Sequence, residues 1–191
     1  PQFLLAMVER AGASASPQVR QLAAVVARRR GAKHWVSPQL TADNREQIKN
    51  MLLHMLTAEP EHLVRRSVAD LISAIAKIAV PHGQWDTLLQ FLFQCSLSEN
   101  PGHREVALVV FTSLTDAIGN LLRQHFRQLT SIFVNGLSDQ AQPVRVAAGR
   151  DRAPRRHPAP VVLRLRRLAL HAHRRSQGLH LRQHARRRLP Q

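Results

Sequence analysis

Cysteine is almost absent from this sequence: of 191 residues only Cys95 is one, no tyrosine occurs, and aromatics make up 4%. A lone thiol excludes an intrachain disulfide framework and a multi-cysteine zinc site, and it fits a reducing interior such as cytosol or nucleus. Cys95 follows Leu89, Phe91, Leu92 and Phe93, so it reads as a buried, inert thiol. Long apolar runs are missing as well. The richest stretches, 69–80 and 106–114, are interrupted and fall short of the ~20 residues that span a bilayer, so no membrane insertion is expected. Strand-length alternation, glycine-rich hairpin turns and β-branched runs are absent, which argues against a sheet. So are a phosphate-cradling glycine loop, a nucleophile elbow and a paired-carboxylate signature, and neither an enzyme nor a bound cofactor is read. Pro1 carries no initiator Met and no signal-peptide pattern, and the sequence reads as a fragment missing its own N-terminus.

Acids are scarce too: 12 Asp+Glu stand against 28 Lys+Arg, a formal charge of +16 with a pI near 11.9. Such a balance ordinarily points to a polyanion. The excess is unevenly spread, however. Residues 1–148 hold 15 Lys+Arg and 11 Asp+Glu, whereas 149–191 hold 13 Arg and the single acid Asp151. This last segment also lacks Lys, Glu, Ile, Phe, Met, Asn, Thr and Trp. Two readings of it stand side by side. One is an Arg-rich disordered arm that binds nucleic acid or acidic proteins by charge neutralisation. The other is an out-of-frame translation of a GC-rich coding sequence, whose products have this reduced alphabet; the absence of Lys and the position of the junction favour the second.

Residues 3–148 read as helix after helix. Val64, Val68, Leu71, Ile72, Ile75 and Ala79 fall on one helical face, as do Ile48, Met51, Leu52, Met55 and Leu56, and Phe126, Leu129, Ile132, Phe133 and Leu137. Four segments superimpose on the arginines Arg20, Arg65, Arg104 and Arg145, which are 45, 39 and 41 residues apart. That is the period of HEAT and armadillo repeats, roughly 40–47 residues. Each copy opens near a proline (Pro17, Pro60, Pro101, Pro143), with Ser16 and Asn100 preceding two of them, the chemistry of a helix start. The expected fold is all-α, a HEAT/armadillo-type α-solenoid of antiparallel helix pairs over 1–148, about 3.5 repeats, followed by a disordered or non-native Arg-rich tail over 149–191. The helices are placed at 2–10, 17–30, 43–57, 60–79, 84–97, 101–118, 121–137 and from 143, the last cut short by Gly149 and the prolines beyond it.

A charge ladder runs with the repeat. Glu59 stands six residues before Arg65 and Asp139 six before Arg145; the equivalent positions before Arg20 and Arg104 are Ser14 and Ser98. Each carboxylate lies in the turn between helices and each guanidinium one turn into the next helix, so the pairs can bridge within a repeat or between repeats. Arg28, Arg29 and Arg30 with Lys33 read as cations stabilising a helix end in preference to a localisation or phosphate-binding cluster. Lys33, His34 and Trp35 form a packing corner with Trp35 buried between repeats. The histidines at 34, 54, 62, 82, 103 and 125 lack metal-ligand spacing. Glu59, Glu61 and Asp86 read as solvent-exposed turn residues without the partners acid–base chemistry needs.

The string Val19-Arg20-Gln21-Leu22-Ala23-Ala24-Val25-Val26, then Arg28-Arg29-Arg30, Lys33-His34-Trp35, Ile48-Lys49 and Glu59 with Val64-Arg65, resembles the N-terminal region of importin-β-like nuclear transport receptors, the karyopherins β. Ile75-Ala76-Lys77, the turn Pro81, Gly83, Trp85-Asp86, Leu88-Leu89, and Arg104-Glu105-Val106-Ala107-Leu108 extend the resemblance from about Phe3 to Ala148, most like the importin four branch, with importin five and its relatives next. The resemblance implies a binding protein that shuttles between cytoplasm and nucleus. Its implied partners are the GTP form of the small GTPase Ran, cargo proteins and FG nucleoporins. It also implies that the exposed faces of helices 17–30, 60–79 and 101–118 line the concave surface offered to Ran or cargo.

Overall fold

In the computed structural model the described residues are 2–119 and 121–149; the segment 150–191, which holds nearly all of the Arg-rich tail, lies outside them. Eight α-helices follow in order: α1 (Gln2–Ala13), α2 (Pro17–Trp35), α3 (Ala42–Ala58), α4 (His62–Ala79), α5 (Thr87–Ser96), α6 (Pro101–Ile118), α7 (Phe126–Leu137) and α8 (Gln142–Ala148). Short 3-10 turns at Val80–His82 and Leu121–His125 precede α5 and α7, and the described residues contain no strand.

The helix starts follow from side-chain chemistry. Ser16 Oγ accepts from the Val19 amide ahead of Pro17, Thr41 Oγ1 from Asn44, and Asn100 Oδ1 from Gly102 at 2.8 Å, each satisfying a donor that has no partner inside the helix. The cap at Thr41 has no counterpart in the proline rule, because α3 begins without proline.

The helices pair as a solenoid with an inner and an outer side. Packing between second helices, α2 on α4, α4 on α6 and α6 on α8, is far more extensive than that of α1 on α3. Elements packed close together lie at small radius, so α2, α4, α6 and α8 form the concave side and the first helices splay on the convex side. One continuous core joins them, from Leu4 and Val8 through Ile48, Leu52, Leu71, Ile75, Phe111 and Leu114 to Phe133 and Val144. Cys95 is buried in it, and burial pushes its thiol up to about 11, which leaves the reactive thiolate scarce.

Several boundaries differ from those expected from the sequence; α1 runs on to Ala13 and α4 starts at His62. Helix α2 continues past Arg30 and through Gly31 to Trp35. Its packing on α1 and α4, which buries Ala24, Ala27 and Trp35, outweighs the ~1 kcal/mol propensity cost of glycine. Helix α5 begins at Thr87 and not at Gln84. Pro81 ends the preceding helix and Gly83, at φ 65, turns the chain through the left-handed region. This turn releases Gln84 and Trp85 to meet Trp35. The segment 121–137 opens with a 3-10 turn before the α-helix starts at Phe126.

Candidate partner-binding site

The arginines at the repeat positions hydrogen-bond to the turns that precede their own helices. All four donate to the backbone six residues upstream: Arg20 to Ser14 O (2.9 Å), Arg65 to Glu59 O (2.8 Å), Arg104 to Ser98 O (2.8 Å) and Arg145 to Asp139 O (2.9 Å). Each guanidinium thereby satisfies carbonyls of the turn that feeds its own helix. The carboxylates face the opposite way, toward the preceding repeat. Arg20 makes a two-bond contact with Glu59 at 2.9 and 2.9 Å, and Arg104 one with Asp139 at 2.7 and 2.9 Å, the planar fork-to-fork geometry that gives arginine its advantage over lysine. Glu59 and Asp139 also accept from the amides of Glu61 and Ala141, so one carboxylate links two helix starts.

Between the second and third repeats the rung is built differently. Ser98 stands where a carboxylate would meet Arg65, whose buried Nε has no partner among the described residues. The Arg65 guanidinium lies over Gly102, where a Cβ would come within 2.7 Å of Nη2. The charge pairing moves to Glu105, 2% exposed, which takes His62 Nε2 at 3.0 Å and Arg66 Nη1 at 3.1 Å. His103 adds a second tie, with Nε2 3.0 Å from Thr57 O and Nδ1 3.1 Å from Ser98 Oγ.

Burial pushes the Glu59 carboxyl up, but the Arg20 hydrogen bonds, the Glu61 amide and the charges of Arg20 and Arg65 outweigh it and hold it below its ordinary value of 4.5. Hydrogen bonds from Arg104 hold Asp139 below its ordinary 3.8 against the opposing effect of burial, helped by the Ala141 amide. A depressed carboxylate contributes stability that is present above its unfolded-state pKa and lost as pH falls through the folded-state value. The two rungs are therefore expected to stabilise the chain fully above about pH 5 and to fail progressively below about pH 4. The paired substitution Arg20→Gln/Arg104→Gln should flatten that acid limb in thermal melts between about pH 5 and 3; an unchanged slope would refute the ladder's part in acid stability.

On the solvent side of this framework, α2 and α4 present exposed Leu22 and Leu63 near their starts, and Arg29 and Lys77 toward their ends. Two of the grooves between first helices on the convex side are largely apolar. One, about 480 Å³, lies between α1 and α3 with Gly12, Met51 and Met55 in its wall. The other, about 680 Å³, lies between α5 and the 121–128 segment; Trp85, Leu89, Phe93 and Leu121 line it and Gln90, Gln94, Gln124 and Gln128 lie among them.

Comparison with known proteins decides what kind of solenoid this is. The family model described as "Importin-beta N-terminal domain" matches residues 1–58, and that described as "IPO5-like, TPR repeats" matches residues 60–150. The probable importin subunit beta-4 of Schizosaccharomyces pombe is 38% identical over 118 residues, 62% of this chain and 11% of that protein. This chain belongs to the importin-β family. Importin-4 of Homo sapiens is 31% identical over 143 residues, 75% of this chain and 13% of that protein, which places the chain in the importin four branch. The crystal structure of Kap121p superposes with a TM-score of 0.65 at 25% identity, over 77% of this chain and 14% of that one. This importin-β chain thus spans about an eighth of the length of the relatives it matches, and those relatives are importins and karyopherins, which are not enzymes.

Two expectations from the sequence are corrected in this importin-β chain. Glu59 is 8% exposed and bound by Arg20, not an exposed turn residue; Glu61 and Asp86 are exposed. Arg28, Arg29 and Arg30 do not end a helix, since the last turn of α2 carries Lys33 and His34 instead. Arg30 lies 5.6 Å over the Phe3 ring and Arg28 reaches Asp70. The pairing of Glu105 with His62 and Arg66 escaped the sequence reading, although Arg66 precedes Glu105 by 39 residues, the same interval as Arg20 to Glu59. An acid and an arginine one repeat apart were the available signal. Among the described residues no group of three His, Cys, Asp or Glu side chains is placed to hold a metal.

Proposed function

We propose that this chain is the part of a nuclear import receptor that binds the GTP form of Ran, with cargo meeting the same concave side. The observation that carries the reading is the inner face of α2, α4 and α6, joined by Arg20 to Glu59 and by His62 and Arg66 to Glu105, in a chain of the importin-β family. A surface spread over equivalent positions of successive helices suits a folded partner, because many modest contacts add up over a large area. One structural neighbour, the karyopherin Kap121p, was crystallised with the extreme C-terminus of the phosphatase Cdc14p. The convex groove beside Trp85 supports the FG nucleoporin part of the reading. Its apolar wall is large enough for a phenylalanine ring, the glutamines can hydrogen-bond an extended backbone, and the buried Trp85 Nε1 has no partner among the described residues. Shuttling between cytoplasm and nucleus follows from these partners.

The test is direct titration of the purified chain with Ran loaded with a non-hydrolysable GTP analogue or with GDP, using intact Importin-4 as the positive control. Binding to the GTP form at least tenfold tighter than to the GDP form is expected. Equal affinity for both, or no binding under conditions where Importin-4 binds, would overturn the reading. In the same assay Leu121→Asp should abolish capture of a phenylalanine-glycine peptide while leaving the GTPase titration unchanged.

A further inference from the structure

A pocket of about 310 Å³ opens on the concave side where α2, α4 and α6 meet. Its position follows from the repeat. Arg29, Ala74 and Ser113 each stand nine residues after the arginine that anchors their helix, Arg20, Arg65 and Arg104. Equivalent positions on neighbouring helices lie side by side. The central helix contributes the small side chains Ser73 and Ala74 there, so the surface dips between the longer side chains around them. Arg28, Arg29 and Lys77 overhang the dip.

The charges around it are unbalanced. Among the described lining residues three are cations and one, Asp70, is an acid. Arg28 reaches Asp70 at 3.5 Å, with both side chains 44% exposed, and an exposed pair with this geometry is readily exchanged for a better one. Arg29 and Lys77 make no ion pair among the described residues. Ser73 Oγ donates to Ala69 O at 2.8 Å, which fixes the hydroxyl and leaves the Ser113 hydroxyl as the available neutral donor. The stretch 28–30 is not needed to cap α2, whose end is served by Lys33 and His34; Arg30 lies over Phe3 and Arg28 reaches Asp70, which leaves Arg29 for another use.

We propose that this pocket receives the carboxylates of an acidic segment of a partner protein, with Arg29 and Lys77 as the principal contacts and Arg28 exchanging Asp70 for the incoming acid. Carboxylate is favoured over nucleic-acid phosphate for two reasons. Among the described lining residues there is no aromatic ring on which a base could stack. Residues 1–148 carry 15 Lys+Arg against 11 Asp+Glu, so most of the excess charge that draws nucleic acid lies in 149–191 and not among the residues that line this pocket. The inference goes beyond the transport reading and does not depend on the identity of the partner, since it specifies only the chemistry that this patch recognises.

The test uses the full chain and a fluorescent decapeptide of alternating Glu and Ser, titrated by anisotropy at low and physiological salt, with an oligouridylate of equal charge as competitor. Arg29→Glu/Lys77→Glu should weaken peptide binding at least tenfold, whereas Arg10→Glu/Arg127→Glu, an equal change in net charge on α1 and α7, should leave it within twofold. Circular dichroism and thermal melts monitor folding, and if the double reversal does not fold, Arg29→Gln/Lys77→Met replaces it with the same expected direction. Absence of peptide binding at low salt, equal loss in the two double variants, or displacement by the oligouridylate at lower concentration than by unlabelled peptide would each overturn the proposal. None of these outcomes bears on the Ran titration, so the two readings fail separately.

Discussion

Trp35→Ala is expected to destabilise the chain by about 3–5 kcal/mol, the range for truncating a large aromatic side chain in a core. The indole is 1% exposed and stacks on Trp85 with ring centroids 6.4 Å apart and planes inclined by 18°. Its Nε1 donates to Gln84 Oε1 at 3.2 Å, and its backbone oxygen accepts from Arg45 Nε and Nη2. One residue at the end of α2 therefore ties the first repeat to the start of the second and to the turn that opens the third. Trp35→Phe keeps most of the apolar contact and loses the hydrogen bond to Gln84, and about 1–2 kcal/mol is expected. Arg28→Ala, which removes only the exposed Asp70 contact, should cost no more than about 1 kcal/mol. Urea unfolding followed by far-ultraviolet circular dichroism gives the three values. If Trp35→Ala shifted the midpoint no further than Arg28→Ala, Trp35 would not be the corner of this packing.

Gly136→Val should be the next most damaging substitution, at about 3 kcal/mol, through overpacking. Gly136 is buried in α7, and a Cβ there would lie 3.0 Å from both the Ala148 Cβ and Leu108 Cδ1. Those atoms belong to α8 and α6, so this glycine sets how closely the fourth repeat closes on the third. Valine adds two further methyl groups at a site with no room for the first carbon. Relief must come from moving α8, which is only seven residues long. The expected signature is early loss of protection from amide hydrogen exchange in 126–148 with 17–79 unchanged. Uniform loss along the chain would show that the fourth repeat does not open on its own.

Much of this architecture is legible in the sequence, because a repeat writes the same physical problem several times. The 39–45 residue spacing of Arg20, Arg65, Arg104 and Arg145 is enough to locate the second helices. Ser16 and Asn100 beside their prolines place two of the starts, since only short polar side chains accept from a helix's first amides. Gly31 is the counterexample. Propensity places a helix end there, and the packing of α2 on α1 and α4, with Trp35 buried at its end, keeps the helix going.

The sequence by itself determined that this is an all-helical repeat, where its second helices lie and which side chains carry the periodic charge, because helix periodicity, capping and repeat spacing are local properties that recur along the chain. Only the tertiary structure decided how those charges are joined. Glu59 reaches back 39 residues to Arg20 while its backbone oxygen serves Arg65, and Ser98 yields its rung to Glu105, His62 and Arg66. Which of two arginines a carboxylate meets depends on how neighbouring helices stack. The same stacking places Arg29, Ala74 and Ser113 side by side, and a pocket between three helices is a property of their packing that no one of them contains.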